Sequence, residues 1–417
     1  MVTHRYSSSL REVSVEQTLA HAQRIAPLVG ITRVTETTCL DRIGVPVFAS
    51  IRPRAMPGSL CVSAGKGLTA DEARIGAYME AIELAYVEPH RSQVQMFRGV
   101  AGDLLDAAAR PEAIFELCPV TPISATTPLP CCHAFDIRTG EQVVVPAERV
   151  LYPILPRDGG GLFGSDGNGV ASGNTLDEAT LHGMAEVIER DVQSFMFPIE
   201  ARSHRVDNAT LPEPLKTLAA RLDRDGFDLY IRYAPNVFEL PYFTVGLIER
   251  GVEFAGHRGD GLHPASSIAV TRAVCEAIQS RLTDIHGGRD DLSMHRYQER
   301  PPAWAAVERT AGMNRWVDRM SSTASGTISF SEIPDGAADA PDVPSGIRLL
   351  LERLDRVGCS RVFRAVHTPP DSPLVVVRII VPRLECYLGE IPRVGPRLKE
   401  YFEHGPQVLT LRRPDAP

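Results

Sequence analysis

Three predicted helices carry the same short pattern near their centres, and this pattern limits what the chain can fold into. Each copy has an acid, a small or β-branched residue, Ile, and then an acid or an amide. The copies are Glu80-Ala81-Ile82-Glu83, Glu186-Val187-Ile188-Glu189 and Glu276-Ala277-Ile278-Gln279. A match of four residues is too short to establish an internal repeat. We therefore predict three similar helix faces, on helices at about 71–87, 176–195 and 267–286.

The acids of the second helix border its apolar surface. At about 100° per residue, its polar side chains fall within an arc of about 80°, and its apolar side chains fill an adjoining arc of about 100°. The first and third helices repeat this arrangement. Such stripes predict carboxylates that are partly buried where the helices pack. The polar stripe consists of Glu178, His182, Glu186 and Glu189, and the apolar arc of Leu181, Met184, Ala185, Ile188 and Val192.

The rest of the sequence places these helices in an α/β or α+β protein. The clearest strands are predicted at 44–51, 230–233, 244–248 and 374–381. The last of these is almost entirely apolar and β-branched, which is typical of a strand buried on both faces. Stretches rich in Pro, Gly, Ser or Ala are predicted to be loops. They lie at 111–130, 157–173 and 321–345.

Composition and charge exclude several classes of protein. With 43% hydrophobic and 23% charged residues over 417 positions, the chain is globular rather than disordered. Its formal net charge of -8 argues against a main role in binding nucleic acid or anionic membranes. No apolar run approaches the roughly 20 residues that cross a bilayer, and the N-terminus lacks a signal-peptide apolar region. We therefore expect a cytoplasmic protein.

Carboxylates stacked on one helix face need a compensating positive charge, because they repel one another and repel more strongly when desolvated. Carboxylate oxygens suit Mg²⁺, which proteins usually hold together with the phosphates of a nucleotide. The alternative is a set of solvated acidic faces paired with some of the many arginines. Acids beside the apolar arc on all three helices favour the metal.

Two further segments are candidate anion sites. Residues 165–175, Ser-Asp-Gly-Asn-Gly-Val-Ala-Ser-Gly-Asn-Thr, can bring backbone amides to the N-terminus of the second helix. This segment is neither a Walker loop nor G-x-G-x-x-G, and Asn174 or Thr175 can equally serve as a simple helix cap. Lys66, one of only three lysines, is either a turn residue or a phosphate contact.

The eight cysteines contain no C-x-x-C pair, and in a reducing compartment most of them should be small buried side chains. Cys131-Cys132-His133 is the only cluster. Two adjacent ligands without a distant matching pair rarely complete a tetrahedral metal site. Apart from His133, no neighbouring cation is evident that would lower a thiol pKa. We predict neither a metal site nor an activated thiol at this cluster.

Several segments, in order along the chain, resemble the YcaO family. They span roughly residues 30–290, and together they are highly specific. The segments are Gly-Ile-Thr-Arg-Val at 30–34, Leu-Asp-Arg-Ile-Gly-Val-Pro-Val at 40–47, Gly-Lys-Gly-Leu-Thr at 65–69, Met-Glu-Ala-Ile-Glu at 79–83, Asn-Gly-Val-Ala-Ser-Gly-Asn-Thr at 168–175, Glu-Ala at 178–179, His-Gly-Met-Ala-Glu-Val-Ile-Glu-Arg-Asp at 182–191, Arg-Ala at 272–273, Glu-Ala-Ile-Gln-Ser-Arg at 276–281 and Arg-Asp-Asp at 289–291.

The resemblance implies an ATP-dependent enzyme that activates a backbone amide of a peptide. In this family a nucleophile adds to the amide carbonyl, and ATP phosphorylates the resulting oxyanion so that the oxygen leaves as phosphate. The implied fold is an α/β assembly with ATP held between helices, neither a Rossmann nor a P-loop domain. We expect one domain over residues 1–417, with a motif-bearing core at about 30–390 and a C-terminal tail at about 391–417.

The resemblance also assigns roles to residues of this chain. Four glutamates are implied to hold Mg²⁺ around the phosphates: Glu80, Glu83, Glu186 and Glu189. Nucleotide binding is assigned to Lys66, Asn174, Glu178, Glu276 and Gln279. Arg190 and Arg281 are the candidate catalytic cations, since phosphorylating an oxyanion brings two negative groups together.

The products of the family are azolines, thioamides and amidines. The C-terminus, residues 412–417, lacks the alternating-proline tail common in azoline-forming members, so we expect thioamide formation with a TfuA-like sulfur-delivery protein. An azoline-forming cyclodehydratase is the alternative, and a non-catalytic nucleotide-binding scaffold for a precursor peptide is a third. A di-iron carboxylate site is disfavoured because the Glu-x-x-His pairs that it requires are absent.

The chain departs from the family pattern at Gly76, and the resemblance leads to expectations about its partners. Gly76 stands where many members of the family have Ser, which would remove one contact to phosphate or to a metal-bound water. The motifs begin by about residue 30, so we expect a separate leader-peptide-binding protein rather than a fused domain. A homodimer is the default expectation for the oligomeric state.

Overall fold

The computed structural model describes residues 3–107, 110, 112–195, 203–252, 256–289, 303–388 and 391–405. Helices and strands alternate along the chain, which confirms the predicted fold class. The three helices predicted from the repeated pattern are present as α2, α4 and α6. The helices are α1 Val15–Ile25, α2 Ala70–Tyr86, α3 Glu112–Glu116, α4 Leu176–Ser194, α5 Leu215–Arg224, α6 Ser266–His286, α7 Ala303–Ser321, α8 Val343–Arg356 and α9 Pro396–His404.

The strands form three main sheets, whose strand orders are β3-β4-β5, then β6-β7-β15-β16-β9 with β8 paired to β7, and β13-β12-β11-β10-β14. Two short hairpins, β1-β2 and β17-β18, lie outside them. The strands are β1 His4–Arg5, β2 Leu10–Arg11, β3 Arg33–Glu36, β4 Val47–Ile51, β5 Val62–Lys66, β6 Phe97–Val100, β7 Pro128–Asp136, β8 Gln142–Pro146, β9 Val170–Gly173, β10 His204–Val206, β11 Phe227–Tyr233, β12 Tyr242–Glu249, β13 Gly256–Leu262, β14 Thr327–Ile328, β15 Phe363–Val366, β16 Val375–Ile380, β17 Tyr387–Leu388 and β18 Ile391–Pro392.

Each glutamate-bearing helix directly follows a strand and packs on it: α2 on β5, α4 on β9 and α6 on β13. Two of these contacts depend on a strand glycine. A Cβ at Gly65 would lie 1.9 Å from the amide nitrogen of Ala77, and a Cβ at Gly259 would lie 2.2 Å from that of Ala277. Because the helix backbone rests on the strand backbone, side chains near the middle of the helix reach the neighbouring strand.

The helix ends follow from local side chains. The hydroxyl of Thr69 accepts a hydrogen bond from the amide of Glu72 and caps α2, and Thr175 caps α4 in the same way through the amide of Glu178. Helix α6 ends at Gly287, whose φ of +63° lies in the left-handed region that glycine adopts without strain.

Parts of the three predicted loops are ordered elements. Residues 170–173 form β9, which pairs with the apolar strand β16, and residues 112–116 form α3. Strand β7 begins at Pro128, and the segment at 321–345 contains β14 and the first turn of α8. These elements are short or rich in small residues. They are ordered by partners that are distant in sequence, so local composition did not reveal them.

The cores lie between helices and sheets. The apolar arc of α4 packs on β16 and α8, as expected from its periodicity, and α6 covers the β11–β13 sheet. Strand β16 lies between β15 and β9, and five of its six residues are buried, which agrees with the predicted buried strand. Over the described ranges, no helix is both long enough and apolar enough to traverse a bilayer.

Candidate functional site

The repeated helix pattern delivers carboxylates from α2, α4 and α6 to one region. Three of them accept hydrogen bonds from strand amides. Glu80 accepts from Ala64 at 3.1 Å, Glu189 from Leu262 at 2.9 Å, and Glu276 from Asp260 at 3.3 Å. These amides belong to β5 and β13, which are edge strands of two different sheets. The glutamates therefore lie between the two sheet edges.

Burial and mutual repulsion perturb these carboxylates. Burial, followed by the nearby Glu186 and Glu80, raises the pKa of Glu83 to about 8, although Ser172 donates a hydrogen bond to it at 2.5 Å. Burial, followed by Glu276, raises the pKa of Glu189 to about 7. Burial also raises the pKa of Glu80 and of Glu186. The mutual effects show that glutamates from different helices are close together, as the stripes predicted.

The donor set fits Mg²⁺. It consists of carboxylate oxygens, which hard divalent cations prefer, and burial together with neighbouring glutamates raises the pKa of Glu83 and of Glu189. Among the described residues, no three His, Cys, Asp or Glu side chains converge as a preformed metal site. An open set of carboxylates suits a cation that takes its remaining ligands from phosphates and water.

Three basic side chains lie among the glutamates. Lys66 pairs with Glu276 at 2.5 Å, and its contact with a phosphate stays a prediction. Arg190 Nε lies 3.9 Å from Glu186, and Arg190 Nη1 donates to Gln193 at 2.9 Å. The guanidinium of Arg272 acts electrostatically on Glu186 and Glu189, yet in the part of the chain that the structure covers it makes no ion pair.

Arg281 lies outside this cluster, so the structure does not support it as a catalytic residue. Its guanidinium binds Asp41 at 2.8 and 3.2 Å and Glu249 at 2.8 Å, and it lies over the ring of Phe227. Arg281 is about 140° around the helix from Glu276, so it points towards another part of the protein. Arg281 therefore forms an ion pair of the kind that the alternative interpretation, acidic side chains paired with arginines, predicts.

Glu178 and Asn174 are occupied by the N-terminal segment. The buried carboxylate of Glu178 accepts from the amides of Glu12 at 2.6 Å and Val13 at 3.2 Å, and from the amide and side chain of Asn174 at 2.8 and 3.1 Å. The side-chain nitrogen of Asn174 also donates to Thr18 at 2.9 Å. These two residues hold the start of the chain against α4. Their contact with a nucleotide stays a prediction.

Gln279 and Glu80 both bind the backbone of Ala64 in β5. Its side-chain nitrogen donates to the carbonyl of Ala64 at 2.5 Å, while Glu80 accepts from the amide of the same residue. Gly76 has a packing role here, because a Cβ at this position would lie 3.3 Å from the Cα of Gly65. The departure from Ser at position 76 thus accompanies a close approach of α2 to β5.

A pocket beside the glutamates contains residues that the sequence did not single out as site residues. Burial, followed by Arg272, lowers the pKa of His263 to about 3, and the same two causes lower the pKa of His182, so both imidazoles are neutral. His182 and Arg272 could have been found from the polar stripes. The N-terminal hairpin could not, because its strands have two residues each. The pocket lining includes Ser8, Ser9, Leu10, Arg11, His182, His263 and Arg272.

The cluster Cys131-Cys132-His133 lies on β7, away from these groups. Both thiols are fully buried, and burial raises the pKa of Cys131 to about 11 and that of Cys132 to about 12. The ring of His133 stacks on Phe97. The thiols therefore remain protonated and pack as small core side chains.

Comparison with known proteins gives a consistent result. A family model described as YcaO cyclodehydratase, ATP- and Mg²⁺-binding, matches residues 64–385. An uncharacterized protein of Methanothermobacter thermautotrophicus is 33% identical over 384 residues, covering 89% of this chain and 94% of that protein. An uncharacterized protein in the tfuA 3' region of Rhizobium leguminosarum bv. trifolii is 29% identical over 408 residues, covering 93% of this chain and 91% of that protein.

The fold leads to the same family. The structure of YcaO from Methanopyrus kandleri bound with AMPPCP and Mg²⁺ matches with a TM-score of 0.69 and 25% sequence identity, covering 95% of this chain and 99% of that chain. This similarity confirms that the fold is neither Rossmann-type nor P-loop. The chain belongs to the YcaO family of ATP- and Mg²⁺-binding enzymes.

Proposed function

We propose that this enzyme uses ATP and Mg²⁺ to activate a backbone amide of a peptide and to install a thioamide there, with a TfuA-like protein delivering sulfur. The convergence of glutamates from three helices on the strand amides of β5 and β13 is the observation that carries the ATP- and Mg²⁺-dependent step. The choice of thioamide is supported by the relative from the tfuA 3' region.

Different residues of this chain would bind the metal and the phosphates. Glu80, Glu83, Glu186 and Glu189 would hold Mg²⁺, and bound ATP with its metal supplies the phosphoryl group that turns the amide oxygen into a leaving group. Arg190 can turn from Gln193 to the phosphates, because the hydrogen bond between these two side chains is only partly buried. A planar guanidinium fork can bind two phosphate oxygens at once.

Two further cations complete this arrangement. Arg272 has no acidic partner within the described residues, which leaves its guanidinium available for a phosphate or an oxyanion. Lys66 is paired with Glu276 at 2.5 Å and adds a second positive charge beside the glutamates. Both lie where negative charge would otherwise accumulate between the carboxylates and the phosphates.

The azoline alternative is favoured by a different observation, the description of the matching family model as a cyclodehydratase. In that reaction a Cys, Ser or Thr side chain of the substrate attacks the preceding amide. The same glutamates and cations would serve, so the active-site geometry does not separate the two products. The mass of the product does.

The test compares peptides from the native host with those from a strain that carries Glu186→Gln and from a strain that lacks the TfuA-like gene. A thioamide appears as the replacement of one oxygen by one sulfur, and it should vanish in both mutant strains. Loss of one water that persists without the TfuA-like gene would show azoline formation instead. Identical peptides in all three strains, with no ATP turnover, would indicate a non-catalytic scaffold.

A further inference from the structure

A second buried charged cluster lies close to Glu186 and is not used in the proposed reaction. It contains three arginines and one carboxylate, and each residue is almost inaccessible. The exposed fraction is 7% for Arg149, 1% for Arg378, 0% for Arg393 and 7% for Asp166. Arg378 and Asp166 both act electrostatically on Glu186, which places the cluster behind the glutamates.

The single carboxylate is committed to two of the arginines. Arg378 Nη2 donates to Asp166 Oδ1 at 2.9 Å, and Arg393 Nη1 lies 2.5 Å from Asp166 Oδ2. Arg393 also donates to the carbonyls of Phe163 and Gly164 at 2.6 and 2.7 Å. Although burial alone would raise it, the three guanidinium groups hold the pKa of Asp166 well below its usual range. Positive charge exceeds negative charge in this cluster.

Arg149 is attracted by Asp166 but forms no ion pair with it. Its Nε and Nη1 atoms are buried and have no hydrogen-bond partner, and its guanidinium forms no ion pair with any residue in the described ranges. A guanidinium stays protonated in a protein. An isolated buried charge costs several kcal/mol unless a partner compensates it. The position therefore calls for a negative group that the chain does not provide.

The nearby carboxylates cannot supply it, because each is bound elsewhere. Glu148, adjacent in sequence, accepts from the amides of residues 161, 162 and 163 at 2.6 to 3.0 Å. Glu385 accepts from the amides of residues 395, 397 and 398 at 2.7 to 3.0 Å, at the start of α9. Besides burial, the groups that shift the pKa of Arg149 are Arg393, Asp166, Cys386 and Cys118. Asp166 is the one carboxylate among these four, and it already pairs with Arg378 and Arg393.

We propose that Arg149, through its unpartnered Nε and Nη1 atoms, binds one small monovalent anion of the halide type. The surroundings are closed, since Cys118 and Cys386 are 2% and 1% exposed, so a phosphate or a peptide carboxylate has no access. The two thiols already donate, Cys118 to the carbonyl of Leu384 and Cys386 to Asp166. The guanidinium of Arg149 is therefore the donor, and its weak hydration suits a weakly hydrated anion. This site is independent of the proposed thioamide reaction and lies beyond it.

The direct test uses the wild-type protein crystallised with sodium bromide. An anomalous bromine peak within hydrogen-bond distance of Arg149 Nε or Nη1 is expected. A water molecule at that place in bromide-grown crystals, with no anomalous signal, would overturn the proposal.

A solution experiment uses Arg149→Met, with Arg356→Gln as the control. Arg356 is an exposed arginine that already pairs with Glu239 and Glu352. In the wild type and in the control, bromide should raise Tm saturably relative to gluconate at equal ionic strength, by about 3 °C at a hundredfold excess over Kd. Arg149→Met should show no difference between the salts. Equal responses of all three proteins would contradict the site, and if Arg149→Met does not fold, the crystals decide.

Discussion

Two buried clusters near Glu186 leave charge of opposite sign uncompensated. In the glutamate cluster, burial together with Glu186 and Glu80 raises the pKa of Glu83 to about 8. In the cluster around Asp166, arginines outnumber the carboxylate, and they lower its pKa. Each cluster requires a charge from outside the chain: a divalent cation and its nucleotide in the first, a small anion in the second.

The ion pair of Arg281 shows the balanced case. Its guanidinium is bound by Asp41 and Glu249 at 2.8 Å each, so the chain provides the whole set of charges. The same residue types therefore serve structure where they are matched and binding where they are not. Unmatched buried charge marks a ligand site more reliably than the presence of charged residues.

The largest effect is expected for Glu186→Gln. Removing one coordinating charge should lower Mg²⁺-dependent ATP hydrolysis at least about a thousandfold, or about 4 kcal/mol. Tm should stay the same or rise, because repulsion within the cluster is relieved. Steady-state hydrolysis and thermal melting measure both. The control is Glu352→Gln, an exposed acid on α8 that should remain fully active, and an active Glu186→Gln enzyme would rule out the metal assignment.

Arg190→Lys tests the geometry of the cation beside the glutamates. Lysine keeps the charge but loses the bidentate fork, so turnover with peptide present should fall at least about tenfold, or about 1.4 kcal/mol. Tm should be nearly unchanged, since the contact to Glu186 is long, at 3.9 Å. Wild-type turnover in this variant would reduce Arg190 to a structural ion pair.

The pH dependence of stability tests the imbalance itself. Folded Glu83 holds its proton up to about pH 8, whereas its ordinary pKa is 4.5. Its stabilising contribution is therefore complete below pH 4.5 and is lost as the pH rises towards 8, at about 1.4 kcal/mol for each unit of pKa difference. His182 and His263 act only below their ordinary pKa of 6.5.

The measurement is the free energy of unfolding of the nucleotide-free protein between pH 6.5 and 8.5. We expect it to fall in the wild type and to change less in Glu83→Gln. Parallel curves for the two proteins would show that Glu83 ionises normally and that the cluster is not short of positive charge.

Arg281→Met should separate structure from catalysis. It leaves the buried side chain of Asp41 without its ion-pair partner, while Glu249 keeps Arg42, so Tm should fall by several degrees. Activity per folded molecule should stay within about twofold of wild type. A tenfold loss of turnover at unchanged Tm would return Arg281 to the catalytic set.

The smallest effect is expected for the double replacement of Cys131 and Cys132 by Ala. Both thiols are buried on β7 and stay protonated, so no nucleophile is lost, and most activity should remain. Tm should fall modestly because two core side chains become smaller. Loss of activity in the folded double variant would indicate that these thiols carry sulfur.

The sequence was most informative where the signal was local. The periodicity of α2, α4 and α6 placed Glu83, Glu186 and Glu189 beside the apolar arcs, and the structure brings them together. Arg281 lies outside the cluster, and periodicity does not indicate this because its partners Asp41 and Glu249 are distant in sequence. The N-terminal hairpin and β9 were missed for a similar reason, since short strands depend on pairing partners elsewhere in the chain.

The claim that the glutamates hold Mg²⁺ with the nucleotide is tested most directly by calorimetric titration of AMPPCP, with and without Mg²⁺, into the wild type and Glu186→Gln. We expect Mg²⁺ to tighten binding to the wild type at least about tenfold, or about 1.4 kcal/mol, and to leave the affinity of Glu186→Gln unchanged. An equal gain from Mg²⁺ in both proteins would contradict the assignment of Glu186 as a metal ligand.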